Sequence, residues 1–321
     1  MHRTQRENSY SSERGAYYPA QDVNLHTHCY YCRHGSGEVS DYIRIAKERG
    51  LKVLGMSDHA PVPDGRWPLS RMTMSELPSY FADVIQGQQD QGMIVLRAME
   101  CDYLPEYHGY YQQELLGTWG CDYLVGSVHT VDMPYAKDVN LHQSPLSKAE
   151  LVQYAKQYID MLSSGLFLFG AHPDVFGCSY LTWDKEAEAC SRAILEAAVE
   201  LRIPLEINGN GFRRAKVAGC NGPKTPYPIV EFWNLAAQYD VMVMTNSDAH
   251  VPKDVDASFT DSSALAATCG LSFAGLRLSE RDAAAKVTLS YETSPKQTLA
   301  GPVSSKGFTK ELPAIIQPAF V

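Results

Sequence analysis

Residues 22–50 read DVNLHTHCYYCRHGSGEVSDYIRIAKERG. The stretch holds a short β-forming run, Asp22–Leu25, and a polar turn opened by His26-Thr27-His28. A helical pattern then follows in SDYIRIAKERG, with Ser40 as N-cap and Gly50 as stop. In extended backbone, residues i and i+2 point to the same side, so His26 and His28 offer both imidazoles to one place.

The same unit recurs along the chain. Lys52–Met56 ends at Ser57-Asp58-His59, before a helix near MSELPSYFADVIQ. Met93–Ala98 leads to Glu100, and Asp122–Ser127 to His129. Leu166–Gly170 ends at His172-Pro173-Asp174, followed by a long helix in DKEAEACSRAILEAAVELR. Ile203–Ile207 runs into Asn208 and GNGFRR, and Val241–Thr245 into Ser247-Asp248-Ala249-His250. Strand then helix, repeated, specifies parallel strands with crossover helices. A His, Asp or Glu group follows six of the seven expected strands. A closed barrel gathers such ends at one face, whereas an open sheet spreads them along an edge. The expected fold is therefore α/β, a distorted (β/α)7 TIM-like barrel with its active site at the C-terminal ends of the strands.

The 321 residues suit one large domain with appendages: an N-terminal extension over 1–20, a barrel over 21–270, and a C-terminal extension over 271–321 that wraps the barrel or is partly ordered. Either tail could cover the pocket or mediate a homo-oligomer. The formal charge of -9 argues against a nucleic-acid surface. No apolar run is long enough to span a membrane, and no apolar signal region opens the chain, so a cytoplasmic location is expected. Eight scattered cysteines do not form a disulfide framework. Cys29 and Cys32 form a C-x-x-C without the second pair that a structural zinc site needs, and read as small loop residues.

Imidazole suits zinc, iron and manganese, and a carboxylate can bridge two mutually repelling cations. His26, His28, His34, His59, Glu100, His129, His172, Asp248 and His250 together form such a mixture, expected to hold two or three divalent ions. Two ions a few Å apart clamp both oxygens of an in-line displacement and acidify a bound water. The remaining histidines, His2, His108 and His142, read as tail or loop residues.

These motifs resemble the PHP (polymerase and histidinol phosphatase) family. The match runs from about Asn24 to about Val251, through HTH at 26–28, SDH at 57–59, Glu100, SVH at 127–129, AHPD at 171–174 and SDAH at 247–250. HTHCYYCRHGSGEVSDYI, SDHAPVPDGRWPLSRM and EINGNGFRRAKV are similar to the histidinol-phosphatase branch. The resemblance implies a trinuclear site: one metal on His26, His28, Glu100 and Asp248, a second on Glu100, His129 and His172, a third on His34, His59 and His250. It also implies that Arg213, or its neighbour Arg214, binds substrate phosphate together with Asn208. Asp58 becomes a residue behind the ligands or a proton shuttle, and His34 part of the catalytic set. Two features depart from the pattern: Asn246 stands where the family often has Gly or Ser, and about twenty residues precede the first strand.

The implied reaction is hydrolysis of a small phosphorylated substrate, L-histidinol phosphate, to L-histidinol and phosphate in histidine biosynthesis. The cationic amine and imidazole of that substrate could meet Asp64, Glu76, Glu106 or Trp67 on rim loops. Arg66 and Arg71 could reach phosphate or pair with carboxylates, and Arg97 reads as a barrel-layer residue. Other readings stay open: a PHP phosphoesterase for another ester or nucleotide, an amidohydrolase-like C–N hydrolase, and a non-catalytic metal-binding regulatory module.

Overall fold

In the computed structural model, which describes residues 15–143, 145–219, 222–279 and 289–293, every run expected as a strand pairs with its neighbours. In chain order the strands are β1 (Ala16–Tyr18), β2 (Val23–Asn24), β3 (Val53–Met56), β4 (Ile94–Asp102), β5 (Tyr123–Ser127), β6 (Thr130–Met133), β7 (Ala136–Asn140), β8 (Phe169–Gly170), β9 (Leu205–Asn208), β10 (Val243–Asn246), β11 (Ala274–Leu278) and β12 (Leu289–Thr293). The helices are α1 (Val39–Glu48), α2 (Leu77–Gly87), α3 (His108–Tyr110), α4 (Lys148–Ser163), α5 (Lys185–Leu201), α6 (Gly209–Arg213), α7 (Val230–Ala236) and α8 (Phe259–Thr268).

Seven strands run parallel in the order β10-β9-β8-β5-β4-β3-β2. They form the nearly closed, distorted TIM-like barrel that the pattern specified. Their residues are short apolar runs buried on both faces, as in β3 (VLGM) and β5 (YLVGS). Gly55 in β3 leaves room for Tyr123, because a Cβ there would lie 1.7 Å from the Tyr123 hydroxyl. That hydroxyl donates to Leu25 O at 2.6 Å across the barrel.

The seam between β10 and β2 is closed mainly by side chains. A parallel bridge joins Thr27 to Ala249, with His28 N donating to Ala249 O at 2.8 Å. Beneath it, Asn246 Oδ1 accepts from Leu25 N, and Asn24 Nδ2 donates to Ser247 Oγ, each at 2.7 Å. Asn246, which stood out as a departure in the sequence, is thus a rivet of the barrel.

The end opposite the histidines is covered by an antiparallel sheet of β1, β11 and β12. Leu276, Leu278, Leu289 and Tyr291 of this sheet pack in one cluster with Leu25, Val53, Leu96 and Phe169 of the barrel. Each such side chain contributes about 1.5–3 kcal/mol on burial.

Several local expectations are corrected. Helix α1 is capped by Glu38 and Asp41 in a reciprocal box, and Ser40 lies inside the first turn. The segment MSELPSYFADVIQ splits into a 3-10 turn, Met74–Glu76, and α2. Strand β4 continues to Asp102, so Glu100 lies within a strand rather than past its end. The β6–β7 hairpin and a π-helical segment over Tyr111–Thr118 carry no signal that the periodicity reading used. His2, Cys220 and most of the two expected extensions lie outside the described residues. Among the described residues, no helix is long and apolar enough to cross a membrane.

Candidate active site

Glu100 is the centre of the polar face. Its Oε2 lies 2.9 Å from His59 Nδ1 and 3.4 Å from Nε2 of both His26 and His28. Its Oε1 lies 3.1 Å from His172 Nε2 and 3.7 Å from His129 Nε2. Asp248 Oδ1 completes one side, 3.1 Å from His28 Nε2 and 3.5 Å from His250 Nδ1. His250 Nε2 in turn faces His34 Nε2 at 3.0 Å. All nine residues named as ligands from the sequence therefore meet in one continuous cluster. Groups able to share an ion include His26/His28/Glu100, His59/Glu100/His129 and His28/His59/His250. His59 sits against Glu100 and His129 as well as His28 and His250, so it lies between the ligand groups that the resemblance kept apart.

Behind the histidines stand three carboxylates. Glu206, fully buried on β9, lies 2.9 Å from His26 Nδ1 and accepts from His172 N at 3.2 Å. Asn208 and Asn246 also donate to it, each at 2.8 Å. Asp102 lies 3.1 Å from His129 Nδ1 and 2.8 Å from Arg71 Nη2. Asp58 accepts from the backbone N–H of His59 at 2.7 Å and lies 3.5 Å from His28 Nδ1. A carboxylate on one ring nitrogen fixes the tautomer and turns the other nitrogen toward a metal. The sequence reading missed Glu206 and Asp102. Glu206 is a lone charge inside the apolar run PLEIN, and Asp102 is two residues after Glu100 in one strand, the spacing that paired His26 with His28.

The donor set fits cations. His26 Nε2, both ring nitrogens of His28, His59 Nδ1 and Asp248 Oδ1 are buried without a hydrogen-bond partner. Each such orphan costs about 1–3 kcal/mol unless something charged or polar satisfies it. The acid–base balance agrees. Burial opposes charge on His28, but Asp248 and Asp58 outweigh it and push its pKa up to about 9. Burial likewise opposes charge on Glu100 and Asp248, yet the surrounding imidazoles hold both well below the ordinary carboxylate range. The cluster therefore demands positive charge, which protons supply in part and divalent ions supply better. Two members of the cluster hold positive φ, His172 (29°) and Asp248 (47°).

The cluster forms the floor of a cavity of about 320 Å³. Its walls include Trp67, Arg71, His142, Asn210, Arg214 and Tyr227. The structure places the expected substrate-side residues unequally. Arg213, expected at substrate phosphate, does not border the cavity. Its Nη2 donates to Ser247 O at 2.7 Å and Asp248 O at 3.2 Å, and its Nε lies 3.4 Å from Asp254. Arg214 borders the cavity instead, because the chain leaves α6 in extended backbone at that residue. Asn208, expected at substrate, holds Asp248 Oδ2 at 3.1 Å and caps α6, out of the cavity wall. Asp58 is enclosed by Cys29, His28 and the His59 backbone.

Among the rim residues only Trp67 borders the cavity, stacked under Arg71 with 4.4 Å to its ring centroid. Asp64 accepts from Tyr107, Glu76 pairs with Arg33, and exposed Glu106 lies 3.8 Å from Arg66. Arg66 pairs with Asp132 and Asp138 of the β6–β7 hairpin, and Arg71 with Asp102. Arg97 donates to Trp119 O away from the site, and His108 lies 3.4 Å from the Tyr103 hydroxyl, outside the cavity wall. His142 lies in a turn, as its sequence reads, and that turn borders the cavity. Cys29 and Cys32 are free and buried, and Cys32 Sγ accepts from Gly35 N at 3.0 Å.

Known proteins resemble the chain in sequence and in fold. The chain is 27% identical over 248 residues to a "Probable histidinol-phosphatase" of Deinococcus radiodurans, covering 74% of this chain and 89% of that one. It is 23% identical over 244 residues to a "Probable phosphatase" of Shewanella amazonensis, covering 73% and 78%. A solved structure of histidinol phosphate phosphatase from Lactococcus lactis, described as complexed with zinc, L-histidinol and phosphate, has the same fold, with a TM-score of 0.62 at 14% identity over 83% of this chain and 98% of that one. The PHP domain matches residues 24–210, more than half of the 321, and the chain belongs to the PHP domain family.

Proposed function

We propose that this protein is a metal-dependent phosphoric monoester hydrolase that converts L-histidinol phosphate and water to L-histidinol and phosphate. The observation that carries the reading is the cavity, with His34, His59, Glu100, His129, Asp248 and His250 on its floor, His26, His28 and His172 against Glu100 beneath them, and Arg214 on its wall. The ligands would hold two or three divalent ions, zinc, manganese or iron. One would lie on His26, His28, Glu100 and Asp248, a second on Glu100, His129 and His172, and a third on His34 and His250 with His59 near both outer groups. When bound, such ions neutralise phosphate oxygens and acidify a bound water.

The chain's own residues do the rest. Arg214 presents a forked, charge-assisted contact for the phosphate. Glu206, Asp102 and Asp58 keep His26, His129 and His28 aimed inward. Arg213 fixes the backbone carbonyls of Ser247 and Asp248, and so the Asp248 carboxylate. Trp67, held by Asp138 at 2.7 Å and covered by the guanidinium groups of Arg66 and Arg71, borders the cavity and ties both arginines to its rim. A small phosphorylated substrate and a cytoplasmic location go with this reading.

A second reading, a PHP phosphoesterase for another small ester, is favoured by one observation. None of the three rim carboxylates expected to meet a substrate amine borders the cavity. Phosphate release by the metal-loaded protein from L-histidinol phosphate, nucleoside monophosphates and p-nitrophenyl phosphate decides between them. A kcat/KM for L-histidinol phosphate no better than for the generic esters would sink the first reading.

A further inference from the structure

His142 borders the cavity but belongs to none of the ligand groups. Its backbone is fixed from three sides. Leu141 N donates to His129 O at 3.0 Å, His142 N donates to Asn140 Oδ1 at 2.8 Å, and Ser179 Oγ donates to Leu141 O. Its ring lies 5.9 Å from that of His129, so it overhangs the metal-ligating floor. Its Nδ1 faces Arg214 Nη2 at 3.4 Å.

That contact settles the tautomer. A guanidinium has only donors. The nitrogen facing it must be the lone-pair nitrogen, which places the ring proton on Nε2. Among the described residues no protein group accepts from that Nε2–H. The ring and the guanidinium are tied together, so their free donors address the same ligand group.

We infer that His142 is a substrate-binding residue that donates its Nε2–H to a phosphoryl oxygen beside Arg214. The inference rests on the phosphatase reading above and adds a neutral donor to the cationic one.

The test compares inhibition by inorganic phosphate and steady-state kinetics in wild type, His142→Leu, His142→Gln and His142→Asn, with metal content measured in each. Glutamine can donate from near the Nε2 position, asparagine only from near the Nδ1 position, and leucine not at all. Metal content should be equal throughout. Phosphate should bind on the order of tenfold to a hundredfold more weakly to the leucine and asparagine variants, the value of a hydrogen bond to a charged group. The glutamine variant should stay close to wild type. Wild-type phosphate affinity in the leucine variant would overturn the assignment of His142 alone. If leucine fails to fold, equal affinities in the glutamine and asparagine variants would overturn it. A wild-type protein that releases phosphate from no ester and is not inhibited by phosphate would defeat the phosphatase reading and this inference together.

Discussion

Replacing Glu206 by glutamine keeps shape and removes one acceptor. One carboxylate oxygen faces His26 Nδ1 and Asn246 Nδ2, the other the backbone N–H of His172 and Asn208 Nδ2. An amide has one oxygen and one NH2 group. With its oxygen toward His26, its NH2 confronts the His172 N–H, which cannot turn away. With its oxygen toward His172, its NH2 confronts His26, which must then accept at Nδ1 and carry its proton on Nε2. That nitrogen is the one aimed at Glu100 and Asp248, 3.4 and 3.7 Å away, and protonated it cannot bind a metal. Either way at least one buried interaction is lost, worth about 1–3 kcal/mol. Such a loss behind a metal-binding imidazole corresponds to about ten- to a hundredfold in metal affinity. Competition with a chromophoric chelator, following zinc, measures it directly. Unchanged zinc affinity and unchanged Tm in Glu206→Gln would refute the argument that Glu206 sets the His26 tautomer.

Other changes separate roles that lie close in sequence. Arg214→Ala should weaken phosphate inhibition by on the order of tenfold to a hundredfold with little change in Tm, whereas Arg213→Ala should lower Tm and disturb Asp248; the reverse outcome in paired kinetic and melting assays would return the phosphate contact to Arg213. Asp174 is buried, with Oδ2 accepting from Ile229 N at 2.6 Å and Trp233 Nε1 at 3.0 Å and Oδ1 without a partner. Burial raises its pKa from 3.8 to about 7, against the lowering effect of those two bonds. A raised folded-state pKa gives stability that is complete below the unfolded value and is lost as pH rises through the folded one. Asp174→Asn keeps an acceptor for both donors and abolishes this loss. Its Tm should match wild type near pH 4 and exceed it at pH 8, by on the order of a few kcal/mol at most in stability. A Tm difference that does not vary with pH would contradict that assignment.

The fold was legible because six of the seven barrel strands carry a His, Asp or Glu at or near their C-terminal ends. His26, His59, Glu100, His129, His172 and Asp248 follow or close short apolar runs, and parallel strands deliver such positions to one face. Glu206 escaped because it is a charge inside a strand, and Asp102 because it closes a strand that runs four residues beyond the apolar run ending at Ala98. The exchange of Arg213 and Arg214 has a different cause. Helix α6 is five residues long and ends between them, so periodicity cannot say which guanidinium turns into the cavity. The β1–β11–β12 sheet was illegible for a third reason: Ala16 pairs with Leu278, and nothing local in either segment names the other. The β6–β7 hairpin carries weak alternation and a Pro-Tyr turn, and its role emerges only where Asp132 and Asp138 meet Arg66 and Trp67.

The central claim is that the buried donors around Glu100 form a metal centre that hydrolyses a phosphate ester. Its most direct test is phosphate release from L-histidinol phosphate, measured with metal content in the same samples during chelation and re-addition of zinc or manganese. Turnover should fall with metal content, vanish in the metal-free protein and return as the metal is restored. Undiminished turnover by a protein shown to be free of metal would contradict it.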